Sequence, residues 1–214
     1  MQFRDRREAG KALAEKLTRQ QHEGRLPEPV VLALPRGGVP VADEIARALG
    51  APLDVVVARK IGAPFQPELG VGAVAGDAAP VYDPVLLGEL GLSERDLART
   101  AELEQAELKR REEAYRRGRG ALDLAGRSAV VVDDGVATGS TARAALRAVR
   151  QAGPARTVLA APVCSREATD QLAGEADEIV CAYVPPAFGS VGFWYGSFPQ
   201  LSDNEVLDIL HVTR

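Results

Sequence analysis

Short apolar runs alternate along the chain with segments in which apolar residues recur every three or four positions. The runs predict five strands, at 30–34, 53–58, 129–132, 157–163 and 178–182. The periodic segments predict helices: an opening helix capped by Asp5 and Glu8, then 41–49, 93–118, 140–152, 165–173 and a last helix from Ser202. Strands that are apolar on both faces and alternate with helices are typical of a parallel sheet. The predicted fold class is therefore α/β, with a parallel core sheet flanked by helices.

Two segments lack helical or strand periodicity. Residues 60–84 are rich in glycine, proline and alanine, which predicts a long loop, and loops of this length are usually functional. Residues 179–202 carry no charge, but their prolines and glycines would break a membrane-spanning helix several times. This second segment predicts a strand followed by an irregular hood over 183–200, and no membrane span.

Segment 93–118 is dense in charge. Its acids and bases occur in equal number, and several pairs lie four positions apart, as in Glu107–Arg111 and Glu112–Arg116. A thin apolar stripe remains, which predicts one long charged helix lying across the surface. Because the charges cancel, the segment does not predict a nucleic-acid-binding stripe.

The composition is that of a soluble globular protein, with 46% apolar and 26% charged residues. The length of 214 residues is suited to one large domain, and we expect residues 1–214 to form it. The formal net charge of -4 argues against a nucleic-acid binder that works by bulk electrostatics. Two cysteines are too few for a disulfide framework and the N-terminus is too charged for a signal peptide, so a reduced, cytoplasmic setting is expected.

The strongest chemical signal runs from Val130 to Thr141, where a buried strand ends in the adjacent acids Asp133 and Asp134. A tight turn then leads into a helix N-terminus, whose amides would form a cup for a phosphate monoester. The cup residues are Ala137, Thr138, Gly139, Ser140 and Thr141. The two carboxylates are suited to binding sugar hydroxyls or organising Mg²⁺ through water. The alternative is an ordinary strand–turn–helix with solvated acids and capping hydroxyls.

The segment 130–141 closely resembles the binding motif for 5-phosphoribosyl-1-pyrophosphate (PRPP) of type I phosphoribosyltransferases. The resemblance extends to a pyrophosphate loop after the first core strand, carried by Arg36, Gly37 and Gly38. In the family that loop often holds a cis non-proline peptide, here expected before Arg36 or before Gly37. Arg59 and Lys60 are similar to the family's basic pair ahead of a mobile catalytic loop, and residues 183–200 would form the hood over the acceptor.

The resemblance implies a type I phosphoribosyltransferase-like fold and a Mg²⁺-dependent enzyme of nucleotide salvage. It would transfer the phosphoribosyl group from PRPP to a nitrogenous base with release of pyrophosphate. Asp133 and Asp134 would act on the ribose and on Mg²⁺, the latter through substrate and water, and closure of the 60–84 loop would exclude water. A homodimer is a further expectation. The alternative is a non-catalytic PRPP-sensing regulator, against which the chain has no helix-turn-helix and no basic patch.

Departures from the family pattern bear on the acceptor. Enzymes that use 6-oxopurines carry an Asp where this chain has Ala137, which argues against that substrate class. Arg59 and Lys60, followed by Gly62 and Pro64, are similar to the adenine type. Glu68 would then serve as a general acid or base, the alternative being an exposed loop carboxylate.

The hood contains several aromatic residues, of which Phe188 and Trp194 are the candidates to stack on a planar base. The alternative is that these rings pack under the last helix. Cys164 and Cys181 are expected to be buried strand residues without a catalytic role.

Overall fold

The computed structural model describes residues 3–118 and 120–212, without the side chains of Glu68 and Val212. The strands are β1 Pro29–Ala33, β2 Leu53–Val55, β3 Ala58–Ala63, β4 Gln66–Ala75, β5 Val81–Tyr82, β6 Ser128–Val132, β7 Arg156–Val163 and β8 Glu178–Tyr183. The helices are α1 Arg6–His22, α2 Gly38–Leu49, α3 Pro84–Leu90, α4 Glu94–Arg116, α5 Ser140–Gln151, α6 Arg166–Leu172 and α7 Asp203–Val212. A short 3-10 helix spans Val191–Trp194.

The core is a five-stranded sheet in the order β2-β1-β6-β7-β8, and every neighbouring pair is parallel. Successive residues of β1 face opposite sides of it. Val31 belongs to the apolar core that includes α1 and α2, whereas Leu32 belongs to the core that includes α5 and α6. Helices therefore cover both faces, which confirms the predicted α/β fold. The loops that follow β1, β6 and β7 meet at the carboxyl edge of the sheet.

The charged segment is one helix, α4, which confirms that prediction. Ser93 and Asp96 form a capping box at its start, and Leu97, Leu108 and Tyr115 are buried along its apolar stripe. Among the described residues, no helix is long and apolar enough to cross a membrane.

The prediction of a long loop over residues 60–84 is wrong, because most of this segment lies in the antiparallel sheet β3-β4-β5. Its glycines lie where strands approach closely: a Cβ on Gly62 would be 2.2 Å from the Pro67 carbonyl oxygen. A Cβ on Gly72 would be 2.6 Å from the Val81 carbonyl oxygen. Glycine has low strand propensity in general, but at these two positions the neighbouring strand leaves no room for a side chain.

The sequence led us to expect reduced cysteines, and that prediction is wrong. Cys164 and Cys181 form a disulfide. Cys164 follows β7 and Cys181 lies in β8, the neighbouring parallel strand, so their Cα atoms are 6.2 Å apart. The chain passes through α6 between these two parallel strands, and no local sequence pattern reveals that they are neighbours in the sheet.

After β8 ends at Tyr183, the described residues of the hood have only the 3-10 helix as regular structure, in keeping with the predicted irregular segment. Its backbone is hydrogen-bonded to the start of the chain. The Phe3 amide donates to the Trp194 carbonyl at 2.8 Å, and the Gly196 amide donates to the Phe3 carbonyl at 2.7 Å. The Ser197 amide donates to the Arg4 carbonyl at 2.8 Å, which brings α1 under the hood.

Candidate active site

The loop after β1 lies directly against the loop after β6. The Leu34 amide donates to the Val132 carbonyl at 2.8 Å, and a Cβ on Gly38 would be 2.5 Å from the same oxygen. A Cβ on Gly37 would be 1.9 Å from Oδ2 of Asp134. Only glycine fits at positions 37 and 38, so the structure brings the predicted pyrophosphate loop into contact with the acid pair. The peptide bond between Pro35 and Arg36 is cis, which confirms the expectation for the bond before Arg36.

The acid pair is more enclosed than solvated acids at a strand end would be. The Asp134 side chain is 14% exposed, and its backbone amide donates to Oδ1 of Asp133 at 2.8 Å. Burial and the neighbouring Asp134 raise the pKa of Asp133 well above its ordinary value. Burial also raises the pKa of Asp134, an effect that the guanidinium of Arg6 opposes.

Arg6 is a site residue that the sequence did not reveal. Its Nε donates to Oδ2 of Asp134 at 2.8 Å, and its side chain is 10% exposed. Arg6 is the first residue of α1, where the helix dipole disfavours a cation. An arginine at this unfavourable position was the one feature of the sequence that could have indicated a special role. It does not identify Asp134, which is far along the chain, as the partner.

The residues of the predicted phosphate cup surround the N-terminus of α5. Within the described part of the chain, the amides of Ala137, Thr138 and Gly139 have no hydrogen-bond partner, and the first amides of a helix lack intrahelical acceptors. Ala137 and Thr138 are exposed, and the hydroxyls of Thr138 and Ser140 are 3.3 Å apart. With Thr141 in the first turn, this is the geometry of an anion-binding helix terminus.

A neighbouring strand end holds this loop in place. The Val136 amide donates to the Val163 carbonyl, and the Ser165 amide donates to the Val136 carbonyl, both at 2.9 Å. The Ser165 hydroxyl donates to the Ala137 carbonyl at 2.5 Å. The cup is therefore fixed by β7 before any anion binds.

Gly139 has φ of +79°, a left-handed conformation that favours glycine. A Cβ there would lie 3.1 Å from Cδ1 of Leu172 and 3.6 Å from Cβ of Ala168. A side chain at this position would thus press on α6.

Arg36, predicted for pyrophosphate, and Arg59, predicted as one of the catalytic basic pair, bind acidic groups of the protein itself. Arg36 Nε is 3.0 Å from Oδ1 of Asp203, and Arg36 Nη1 donates to the Leu201 carbonyl at 2.9 Å. Arg59 forms an ion pair with Glu104 of α4, so its described contacts are away from the acid pair. The Lys60 side chain lies across Gly70 of β4. The side chain of Glu68, the predicted general acid or base, lies outside the described residues.

One of the two rings predicted to stack on a base is buried inside the hood. Trp194 is 8% exposed, and its indole Nε1 donates to the Phe188 carbonyl at 2.9 Å. Phe188 packs on the same small core, so the stacking prediction is corrected for Trp194: its ring belongs to the interior of the hood. Two other hood aromatics lie beside the acid loop: Tyr195 donates its hydroxyl to the Asp134 carbonyl at 2.6 Å, and the Phe198 ring centre is 3.8 Å from Cζ of Arg6.

The donor set is suited to Mg²⁺ but not to a metal held by protein alone. Among the described residues no group of three or more acidic, histidine or cysteine side chains could hold a metal ion. Mg²⁺ is commonly bound through one or two carboxylates together with substrate phosphates. Asp133 and Asp134 are the residues that would supply such carboxylates.

Comparison with known proteins shows which family the chain belongs to. The family model described as phosphoribosyl transferase domain matches residues 5–185. The chain belongs to this family. The match begins one residue before Arg6 and ends at residue 185, so the phosphoribosyl transferase family model covers the acid pair, the cup and the glycine loop, but most of the hood lies beyond it.

Candidate phosphoribosyl transferases from two strains of Mycobacterium tuberculosis are 48% identical over 210 residues, which is 97% of this chain and 46% of each relative. The chain therefore spans about half the length of the curated relatives it matches. The solved structure of TT1426 from Thermus thermophilus is 47% identical, covers 98% of both chains and has a TM-score of 0.82. A Neisseria gonorrhoeae protein with bound ppGpp is 14% identical, covers 100% of this chain and 99% of that chain, and has a TM-score of 0.50, a likeness in fold alone.

Proposed function

We propose that the protein is a phosphoribosyltransferase that transfers the phosphoribosyl group of PRPP to a nitrogenous base and releases pyrophosphate. The observation that carries this proposal is the contact between Gly37 and Asp134. The glycine loop before α2 and the acid pair before α5 are therefore close enough for one ligand to contact both. PRPP has a phosphate at one end, a pyrophosphate at the other and a diol between them.

Each part of the site has one task in this proposal. The amides of 137–141 bind the 5-phosphate without a side-chain cation. Asp133 and Asp134 accept hydrogen bonds from the ribose hydroxyls. The loop at Arg36, Gly37 and Gly38 receives the pyrophosphate, since glycine lets the backbone approach it closely.

The reaction is displacement at the ribose C1 atom. The bond from C1 to the pyrophosphate oxygen breaks, that oxygen keeps the electron pair, and a nitrogen lone pair of the base forms the new bond to C1. Asp133 and Asp134 would hold Mg²⁺ through water and substrate, and the ion would supply charge neutralisation for the leaving pyrophosphate. The protein groups orient the two reactants and exclude water, which would otherwise compete as nucleophile.

The testing experiment measures pyrophosphate release when PRPP and Mg²⁺ are mixed with a panel of purine and pyrimidine bases. The expected result is release that depends on one base and is lost in Asp134→Asn while inorganic phosphate still binds. Tight PRPP binding without release for any base would support the alternative, a PRPP-sensing regulator. Failure of PRPP to bind at all would overturn both.

A further inference from the structure

Arg6 carries a buried charge with three separate contacts. Beyond the ion pair to Asp134, its Nη1 donates to the Pro199 carbonyl at 2.8 Å. Its guanidinium lies over the ring of Phe198, with Cζ 3.8 Å from the ring centre. Arg6 thus connects the first turn of α1, the acid loop and the end of the hood.

The other side of the same network also ends at Asp134. The Phe198 ring stacks on Tyr195 at 4.8 Å between centres, and the Tyr195 hydroxyl donates to the Asp134 carbonyl at 2.6 Å. The Gly37 backbone lies against Oδ2 of the same carboxylate, where a Cβ would be 1.9 Å away. Arg6 of the N-terminal helix therefore holds the Asp134 side chain, and Tyr195 of the hood holds the Asp134 main chain.

Stability alone does not account for a cation at this position. A buried ion pair is often no more stabilising than apolar residues of similar size, and the N-terminus of α1 disfavours positive charge. The neighbouring Arg7 is half exposed and binds Glu44 and the buried Asp43, away from the acid pair. The burial of Arg6 against a site carboxylate is better explained by what it does to that carboxylate.

We propose that Arg6 is a positioning residue that fixes the orientation of the Asp134 carboxylate toward the ribose hydroxyls of the phosphoribosyl substrate. Phe198 and Pro199 hold Arg6 in turn, so the recognition of ribose depends on the hood being in place. This inference rests on the proposed function, because it takes Asp134 to bind the ribose. It concerns the discrimination of the sugar and leaves the phosphate cup unchanged.

The test compares binding of inorganic phosphate, ribose 5-phosphate and its 2-deoxy and 3-deoxy analogues by calorimetry. The wild-type protein is expected to prefer ribose 5-phosphate over at least one deoxy analogue by about tenfold, as a hydrogen bond to a charged group typically gives. Arg6→Met should reduce that preference to about twofold. Its affinity for inorganic phosphate should stay at the wild-type value.

Conservative and matched variants separate positioning from a structural effect. Arg6→Lys should restore part of the preference, because a charge near Asp134 remains. Arg7→Met removes a cation from the same turn of α1 and should keep the full preference. Phe198→Leu keeps Arg6 but removes the ring beneath it, and should give an intermediate preference.

Retention of the full ribose preference in Arg6→Met would overturn the inference. So would equal binding of all three sugars by the wild-type protein, an outcome that leaves the phosphate cup and the proposed function standing. If the wild-type protein binds neither phosphate nor ribose 5-phosphate, the proposed function itself fails. If Arg6→Met does not fold, full preference in both Arg6→Lys and Phe198→Leu would overturn the inference.

Discussion

Arg36, in the glycine loop after β1, forms an ion pair with Asp203 at the first position of α7, with 3.0 Å between Nε and Oδ1. Hydrogen bonding from the Tyr115 hydroxyl, and then the charge of Arg36, holds the pKa of Asp203 below its ordinary value. Asp203 is therefore ionised at neutral pH. Without substrate, the cation proposed for pyrophosphate is bound to an acid of the protein.

Removing that acid should make Arg36 more available to pyrophosphate. Asp203 is half exposed, and exposed ion pairs contribute at most about 1 kcal/mol, or about fivefold in affinity. Asp203→Asn should therefore bind Mg²⁺-pyrophosphate up to about fivefold more tightly in calorimetry. Asp208→Asn, with the same change of charge further along α7, should not. Weaker binding by Asp203→Asn would mean that the pair holds Arg36 in its binding orientation.

Gly139 should be needed for both stability and phosphate binding. Alanine at a positive φ costs about 1 kcal/mol, and contact with Leu172 adds to that cost at Gly139. Gly153→Ala is the matched control, since its φ is +69° and no atom lies within 4 Å of the new Cβ. In urea unfolding both variants should lose stability. Phosphate titration should show weaker binding for Gly139→Ala alone, because the contact of the new Cβ with Leu172 displaces the neighbouring amides of the cup. Wild-type phosphate affinity in Gly139→Ala would contradict the placement of the cup.

Glu112 on α4 should make stability depend on pH. Burial raises the pKa of this carboxyl above its ordinary value of 4.5, against the opposing effect of Arg116. The folded state then binds more protons than the unfolded state above pH 4.5, so stability falls as pH rises through the raised pKa. Glu112→Gln should remove that loss, so the unfolding free energy of the variant relative to wild type should increase with pH. If the unfolding free energy of Glu112→Gln relative to wild type is flat or decreases with pH, the pKa of Glu112 is not raised by folding. Glu113→Gln, which removes one exposed carboxylate from the same helix, is the control.

The disulfide should stabilise the junction of β7 and β8. Its cysteines are 17 positions apart, and a loop of that size corresponds to about 3 kcal/mol in the chain-entropy description. Reduction should lower the urea midpoint of the wild-type protein, and it should leave a Cys164→Ala/Cys181→Ala double variant unchanged. Thiol titration of the unreduced protein should find no reactive thiol. Two free thiols and an unchanged midpoint would contradict the bond.

The parts of the molecule that follow from local sequence were predictable. Core strands that are apolar on both faces, the alternating charges of α4 and the turn between Asp134 and Ser140 each lie within one contiguous segment. Their physical cause, burial on two faces, pairing of charges along a helix or a turn into a helix N-terminus, acts over a few residues and leaves a pattern in them.

The parts that depend on distant segments were not predictable in this way. Arg6 meets Asp134, and Cys164 meets Cys181, through the order of strands in the sheet and the path of the hood. The β3-β4-β5 sheet was missed because glycine and alanine have low strand propensity, and close strand packing outweighs it. Trp194 was misjudged because an aromatic residue in a loop has the same sequence signature whether it faces a ligand or fills the hood.

The most direct test of the central claim follows the phosphorus atoms of PRPP by ³¹P NMR during reaction with Mg²⁺ and the base that responds in the panel. The account predicts that the diphosphate signals of PRPP decline while free pyrophosphate and a new 5-phosphate monoester appear in equal amounts. Asp134→Asn should greatly slow this conversion. Unchanged PRPP signals with every base, or release of pyrophosphate with free ribose 5-phosphate as the product, would contradict transfer to a base.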